Sequence, residues 1–194
     1  MNTFIYMVRH GDSPKVGDER TRGLTESGKS EAIRVADLLK MEGINAVVSS
    51  PYIRSILTVE KLADELGQDV LVYEDLKERV FSSKTNRISD KELFSILEKS
   101  FSDPKFALKG AESNIACQER AINVLKELLV TYRGRRVVIG THGVVMTLMI
   151  NYYDKSYDLD FLLSTSKPDI YKLEFINQDL IKVERLWYRD LTCT

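Results

Sequence analysis

The chain is poor in cysteine and histidine, carries almost no net charge and contains no long apolar run. Its 194 residues include two cysteines, Cys117 and Cys193. Their spacing fits no metal or redox motif. Both are expected as reduced thiols of a cytoplasmic protein, Cys117 in a helix and Cys193 in a loose tail. Basic and acidic side chains number 28 and 29, a net charge of −1. So even a balance gives no global footprint for nucleic acid or a membrane surface. No apolar segment is long enough to span a bilayer. The N-terminal apolar run is too short for a signal peptide and lacks its basic flank. There are no internal repeats and no low-complexity tracts. The length suits a single domain over residues 1–194 with a substantial core.

The scarcity of histidine is informative. The chain has two, His10 and His142. Phe4 to Val8 form a short apolar run that ends in Arg9-His10-Gly11. Arg136 to Gly140 form a second, followed by Thr141-His142-Gly143. Such runs read as strands buried on both faces. Residues that follow a buried strand come out at the rim of the sheet, where open α/β sheets bind ligands. Two histidines placed alike point to one shared site rather than to two core histidines.

The rest of the chain alternates strands and helices. Thr25 caps a helix expected to reach Glu42, with Ala32, Val35, Ala36 and Leu39 inward and Gly43 as its stop. Ala46 to Val48 form a strand. Ser50 is expected as the next N-cap and Pro51 as the first helical residue, with the helix ending near Leu66 before Gly67. Arg54 falls in its first turn and can reach the rim. Val70 to Tyr73 form a third strand. Ser89 to Glu92 read as a capping box for a helix to Phe101, ended by Asp103-Pro104. Asn114 to Tyr132 and Gly143 to Tyr153 read as further helices. Ile170–Phe175 and Ile181–Leu186 alternate apolar and polar residues around Asn177-Gln178-Asp179, a hairpin. The expected fold is an α/β, three-layer α/β/α sandwich on a mostly parallel sheet with a C-terminal antiparallel hairpin. Residues 79–113 break the alternation and are read as an insertion over the active site.

The rim collects Arg9, His10, Arg54 and His142, with Ser13 close in sequence. Two arginines around two histidines describe an anion pocket. Arginine suits phosphate because its planar fork stays charged and gives paired hydrogen bonds. The helix opening at Gly143 can add free N–H groups. A histidine in such a pocket can attack phosphorus. The leaving oxygen then needs an acid, and Asp12, Glu74, Asp75, Glu78 and Glu112 are the available carboxylates. The pocket itself is built from arginine and histidine with no clustered carboxylates, so no metal or cofactor is expected. Lys84 and Arg87 read as solvated or as readers of a distal anion, and Tyr152, Tyr153 and Tyr157 as packing.

These residues resemble the histidine phosphatase superfamily, which includes phosphoglycerate mutases. The similarity runs colinearly through Arg9-His10-Gly11, Leu24-Thr25-Glu26-x-Gly28, Ser49-x-Pro51-x-x-Arg54, Leu76-x-Glu78, Gly110-x-Glu112-Ser113 with Arg120, and Thr141-His142-Gly143. The resemblance implies a three-layer sandwich and a phosphohistidine formed on His10. It implies phosphoryl contacts from Arg9, Arg54 and His142, a hydroxyl near phosphate from Ser13, and Glu78 as proton donor. Glu112 is read as a loop or capping residue. Two positions depart from the pattern: Val16 stands where an asparagine is common and Ala111 where a second glycine is. Arg22 before Gly23-Leu24-Thr25 is similar to the small phosphohistidine-phosphatase branch. The expected function is a metal-independent phosphomonoesterase acting on a small-molecule phosphomonoester or a phosphoprotein. The alternatives are phosphoglycerate mutase-type transfer and a non-catalytic phospho-ligand binding module.

Overall fold

The computed structural model describes residues 1–83, 85 and 87–188. Its frame is one six-stranded sheet. The strands are β1 (Asn2–Arg9), β2 (Ala46–Ser49), β3 (Val70–Val72), β4 (Arg136–Thr141), β5 (Asp169–Ile176) and β6 (Asp179–Arg185). They lie in the order β3-β2-β4-β1-β5-β6. The first four run parallel, and β5 and β6 add an antiparallel hairpin. Asn177 turns that hairpin with φ +57°, a conformation asparagine tolerates better than most residues. The sandwich with its C-terminal hairpin is therefore as expected.

Helices cover both faces: α1 (Glu26–Leu39), α2 (Ile53–Leu66), α3 (Asp90–Ser102), α4 (Asn114–Thr131), α5 (Gly143–Tyr153) and α6 (Leu159–Ser164). Successive strand residues point to opposite faces. Tyr6 and Val8 of β1 thus join Val35 and Leu39 of α1 and Val59 and Leu62 of α2 in one core. Ile5 and Met7 face the other way, toward Leu125 of α4 and Met149 of α5. Each such side chain fully withdrawn from water contributes roughly 1.5–3 kcal/mol. That is ample to hold a sheet whose central strands are apolar on both sides.

The parallel register places the site. Arg9 pairs with Thr141, and Ser49 pairs with Gly140. Strands β1 and β4 therefore end level and β2 one residue earlier, and the residue after each is His10, His142 or Ser50. Gly28 lets α1 press on the loop after His10, because a Cβ there would stand 2.2 Å from the Asp12 carbonyl oxygen.

Some expectations need correction. Helix α1 stops at Leu39 rather than Glu42, and Gly43 sits beyond it at φ +68°. Helix α2 starts at Ile53 with Tyr52 at its N-cap position. Ser50 is not the cap and Pro51 is not the first helical residue, because the Ser50 hydroxyl is turned to His142. Helix α6 was not legible as a periodic segment; Asp158 caps it by accepting from Asp160 and Phe161 N–H. The Ser89/Glu92 capping box of α3 and the Thr25 cap of α1 form as read. Tyr153 packs on Phe175 and Tyr157 on Phe161. Cys117 is a buried thiol, whereas Cys193 and Lys84 lie outside the described residues. Among the described residues, no helix is long and apolar enough to cross a membrane.

Candidate active site

His10 is buried at the end of β1, with 4% of its surface exposed. Its Nδ1 lies 2.7 Å from the Gly11 carbonyl oxygen. A carbonyl only accepts, so Nδ1 carries the proton and Nε2 keeps its lone pair. That lone pair accepts a hydrogen bond from Arg54 Nε at 3.1 Å. Burial first, and the Arg54 charge second, hold the His10 pKa well below 6.5. The ring is neutral at physiological pH and its free nitrogen is nucleophilic.

His142 stands beside it, fully buried, with the two rings edge to face and 5.2 Å apart. Its Nε2 meets the Ser50 hydroxyl at 2.7 Å. Its Nδ1 is buried and has no hydrogen-bond partner. Burial, Arg54 and His10 keep this ring neutral too. Arg9 presents a second orphan: Nε is buried without a partner, while Nη1 is held by the Thr165 carbonyl and hydroxyl. Gly143 makes room for this guanidinium, since a Cβ there would come 2.9 Å from Arg9 Cζ.

Arg54 is 1% exposed. Burial and neighbouring Arg22 pull its pKa down to about 10, so it stays charged. Its Nη2 pairs with a Glu19 carboxylate oxygen at 2.9 Å, and Nη1 donates to the Glu19 carbonyl. Arg22 pairs with the same carboxylate at 3.0 Å. In this state a carboxylate occupies the arginine fork that a phosphoryl oxygen would use.

The five candidate carboxylates separate cleanly. Glu78 lines the same cavity as Arg9, His10 and Arg54; Asp12, Glu74, Asp75 and Glu112 do not. The Glu78 oxygens accept from Arg79 N–H at 2.9 Å and from Val144 and Val145 N–H at 3.3 and 3.2 Å, at the start of α5. Those donors and Arg54 favour the anion, but enclosure outweighs them and the pKa is raised. Glu74 is exposed, and its pairing with Arg20 and Lys77 draws it down to about 2, so it holds no proton to give. Asp12 takes the Thr25 hydroxyl. Glu112 forms a fork with Arg120 at 2.7 and 2.8 Å and accepts from Val80 N–H, a loop-bracing role.

Three further cations line the cavity: Arg22 and Arg87, both singled out in the sequence, and Lys167, which was not. Arg87 is not solvated; its side chain is 13% exposed and pairs with Asp90. Lys167 is open to the water of the cavity, yet the protein around it and the charges of Arg9, Arg87 and Arg22 lower its pKa to about 8. Arg22, just before Gly23-Leu24-Thr25, had a sequence signal; Lys167 had none. Ser13 is absent from the lining. Its hydroxyl donates to the Gly23 carbonyl at 2.7 Å and accepts from Arg22 at 2.6 Å, which braces the loop that carries Arg22. Val16 is exposed and also absent from the lining. The cavity, about 280 Å³ in volume, is also lined by apolar side chains, among them Phe81, Leu93, Phe94, Leu162 and Leu163. Among the described residues no group of histidine, cysteine or carboxylate side chains is placed to hold a metal ion.

A neutral histidine with an unprotonated nitrogen, set among buried arginines and a second buried histidine where parallel strands end, defines a phosphoryl-handling α/β protein. The chain belongs to the histidine phosphatase superfamily (branch 1), whose family model matches residues 5–182. It is 26% identical over 160 residues to a protein named probable phosphoglycerate mutase GpmB from Escherichia fergusonii, covering 76% of this chain and 73% of that one. It is 30% identical over 157 residues to metal-independent phosphoserine phosphatase from Arabidopsis thaliana, covering 74% and 66%. Its fold matches a solved phosphoserine phosphatase from Entamoeba histolytica with a TM-score of 0.78 at 19% identity, over 98% of both chains.

Proposed function

We propose that this chain is a metal-independent phosphomonoesterase that works through a phosphohistidine on His10, with Glu78 as its acid and base. One observation carries the reading. Arg9 Nε is buried without a partner beside the cavity that Arg9 and His10 line, and His142, fully buried and outside that lining, carries a second unpartnered nitrogen, Nδ1, on a ring 5.2 Å from His10. An orphaned arginine N–H and an unpartnered imidazole nitrogen near one lone pair match an incoming phosphoryl group.

The reaction follows from the placement. A phosphoryl oxygen replaces the Glu19 carboxylate on Arg54, and others take Arg9 Nε and His142 Nδ1. His10 Nε2 attacks phosphorus in line while the bond to the ester oxygen breaks, and protonated Glu78 gives that oxygen its proton. The Glu78 carboxylate then takes a proton from water. The water oxygen bonds to phosphorus, the P–N bond breaks, and orthophosphate leaves with His10 restored. The raised pKa of Glu78 suits a group that must hold a proton and then recover it.

The cavity accommodates a small organic phosphate. A phosphoprotein would have to offer its phosphorylated side chain alone. Phe81, Leu93 and Phe94 in the cavity lining support reading 79–113 as an insertion over the active site of a single domain. The uncharged balance of the surface and the buried Cys117 thiol suit a cytoplasmic setting. A mutase would have to keep water from phosphohistidine. The deciding experiment supplies 3-phosphoglycerate with 2,3-bisphosphoglycerate and follows isomerisation and free phosphate together. Phosphate release from several monoesters with negligible isomerisation is expected. Efficient interconversion of the monophosphates with little phosphate released would replace the phosphatase reading with the mutase one.

A further inference from the structure

We infer that Ser50 is a positioning residue that fixes the proton of His142 on Nδ1 and thereby aims a hydrogen-bond donor at the transferring phosphoryl group. The inference rests on the phosphatase reading for its purpose, but the tautomer follows from hydrogen-bond accounting alone.

Ser50 is fully buried. A serine hydroxyl has one proton and two lone pairs. One lone pair is used by Tyr52 N–H, which donates to Ser50 Oγ at 3.2 Å. The remaining close contact of the hydroxyl is His142 Nε2 at 2.7 Å. Two arrangements satisfy this contact on paper. If His142 carried its proton on Nε2, the imidazole would donate to Ser50, and the serine proton would be buried with no acceptor. Leaving a buried donor unmade is costly. If Ser50 donates to Nε2, the imidazole proton is on Nδ1 and one group is left unmet, the Nδ1–H, against two in the first arrangement, the serine O–H and the Nδ1 lone pair. Burial and the Arg54 charge rule out holding protons on both nitrogens at neutral pH.

The free protein therefore carries an Nδ1–H buried without a partner. A bound phosphoryl oxygen supplies the missing acceptor. The ring is also held mechanically: Tyr52 packs edge to face on it at 5.0 Å, and the Arg54 guanidinium lies over Tyr52 at 4.9 Å. Ser50 thus sets which nitrogen bears the proton, and Tyr52 sets where the ring points. Parallel register makes this possible, since β2 ends within one residue of its neighbour β4 and the residue after β2 meets the residue after β4.

Nitrogen NMR on histidine-labelled full-length protein tests this directly, because there are only two rings to assign and His10→Ala identifies the one that remains. The expected result is His142 protonated on Nδ1 at neutral pH. Ser50→Ala should move His142 toward the Nε2–H form. It should also weaken competitive inhibition by orthophosphate roughly tenfold, the scale of one hydrogen bond to a charged group. Ser50→Thr keeps the hydroxyl and should keep the tautomer. An Nε2–H tautomer in the wild-type protein overturns the inference. So does an unchanged tautomer or an unchanged phosphate affinity in a folded Ser50→Ala protein. If that variant does not fold, the wild-type tautomer decides. The expected tautomer and phosphate affinity in a protein that hydrolyses no monoester would overturn the phosphatase reading and leave this one standing.

Discussion

Strands β1 and β4 end side by side and each delivers a histidine, but the two rings are held from opposite sides. His10 gives its Nδ1 proton to the carbonyl of the next residue and turns a lone pair outward. His142 accepts a hydrogen bond from the hydroxyl of Ser50, ninety-two residues away, and keeps an N–H with nowhere to go. The rings share a tautomer and a depressed pKa. What differs is what each ring has to offer: the His10 lone pair meets only an arginine N–H, and the His142 Nδ1–H meets nothing. An available lone pair makes a nucleophile; an available proton makes a donor. Burial keeps both neutral, and the neighbours assign the work.

The largest break in this comparison is His10→Ala. Without the lone pair no covalent intermediate can form, and turnover should fall by ~10⁴-fold or more. Acid-labile, base-stable phosphoenzyme should be trapped in the wild type and absent in the variant. Hydrolysis at the parental rate would remove His10 from the mechanism. Glu78→Gln should cost about 10²–10⁴-fold with alkyl phosphates, whose leaving oxygen needs a proton. The loss should be much smaller with aryl phosphates. Equal losses for both classes would argue against an acid role. His142→Ala removes one donor from the developing charge and should cost about 10²–10³-fold in kcat. It should leave the phosphoenzyme detectable, and that separates a donor from a nucleophile. A loss of phosphoenzyme as complete as that of His10→Ala would erase the distinction between the two rings.

The same contrast explains what could be read from the chain beforehand. The state of His10 depends on its own strand and on Gly11, so strand pattern and motif were enough. Thr25, Ser89 and Gly67 act within one turn, and their caps form as read. Ser50 also looked like a cap, because Ser before Pro is a local signal. Its hydroxyl goes instead to a histidine from another strand, and no local pattern reports that. Glu19 closing on Arg54, and Lys167 arriving beside Arg9, are likewise products of folding over long separations. Helix α6 has six residues, too few to show a period. The chemistry lay in short motifs at strand ends, whereas the apolar lining of the cavity came from segments with no motif.

The smallest effect concerns stability. An unfolded histidine takes up a proton near pH 6.5. Folded His10 and His142 do so only well below that value, burial being the main cause for both. Below pH 6.5 the unfolded chain therefore binds more protons than the folded one, and stability falls as the pH falls. Each histidine contributes a slope of at most about 1.4 kcal/mol per pH unit in this window. Glu78 works in the opposite sense, because its raised pKa lets the folded state take up a proton first. The wild-type slope is thus a balance, and the informative quantity is the change on substitution. His142→Gln and His10→Gln should each flatten the slope between pH 6.5 and 5.5 by about the same amount, measured as urea midpoints at several pH values. Both rings are buried and neutral, so stability should treat them alike even though catalysis does not. If only one substitution flattened the slope, the other ring would carry its proton in the folded state at these pH values. The shared tautomer on which the comparison of the two strand ends rests would then fail for that ring.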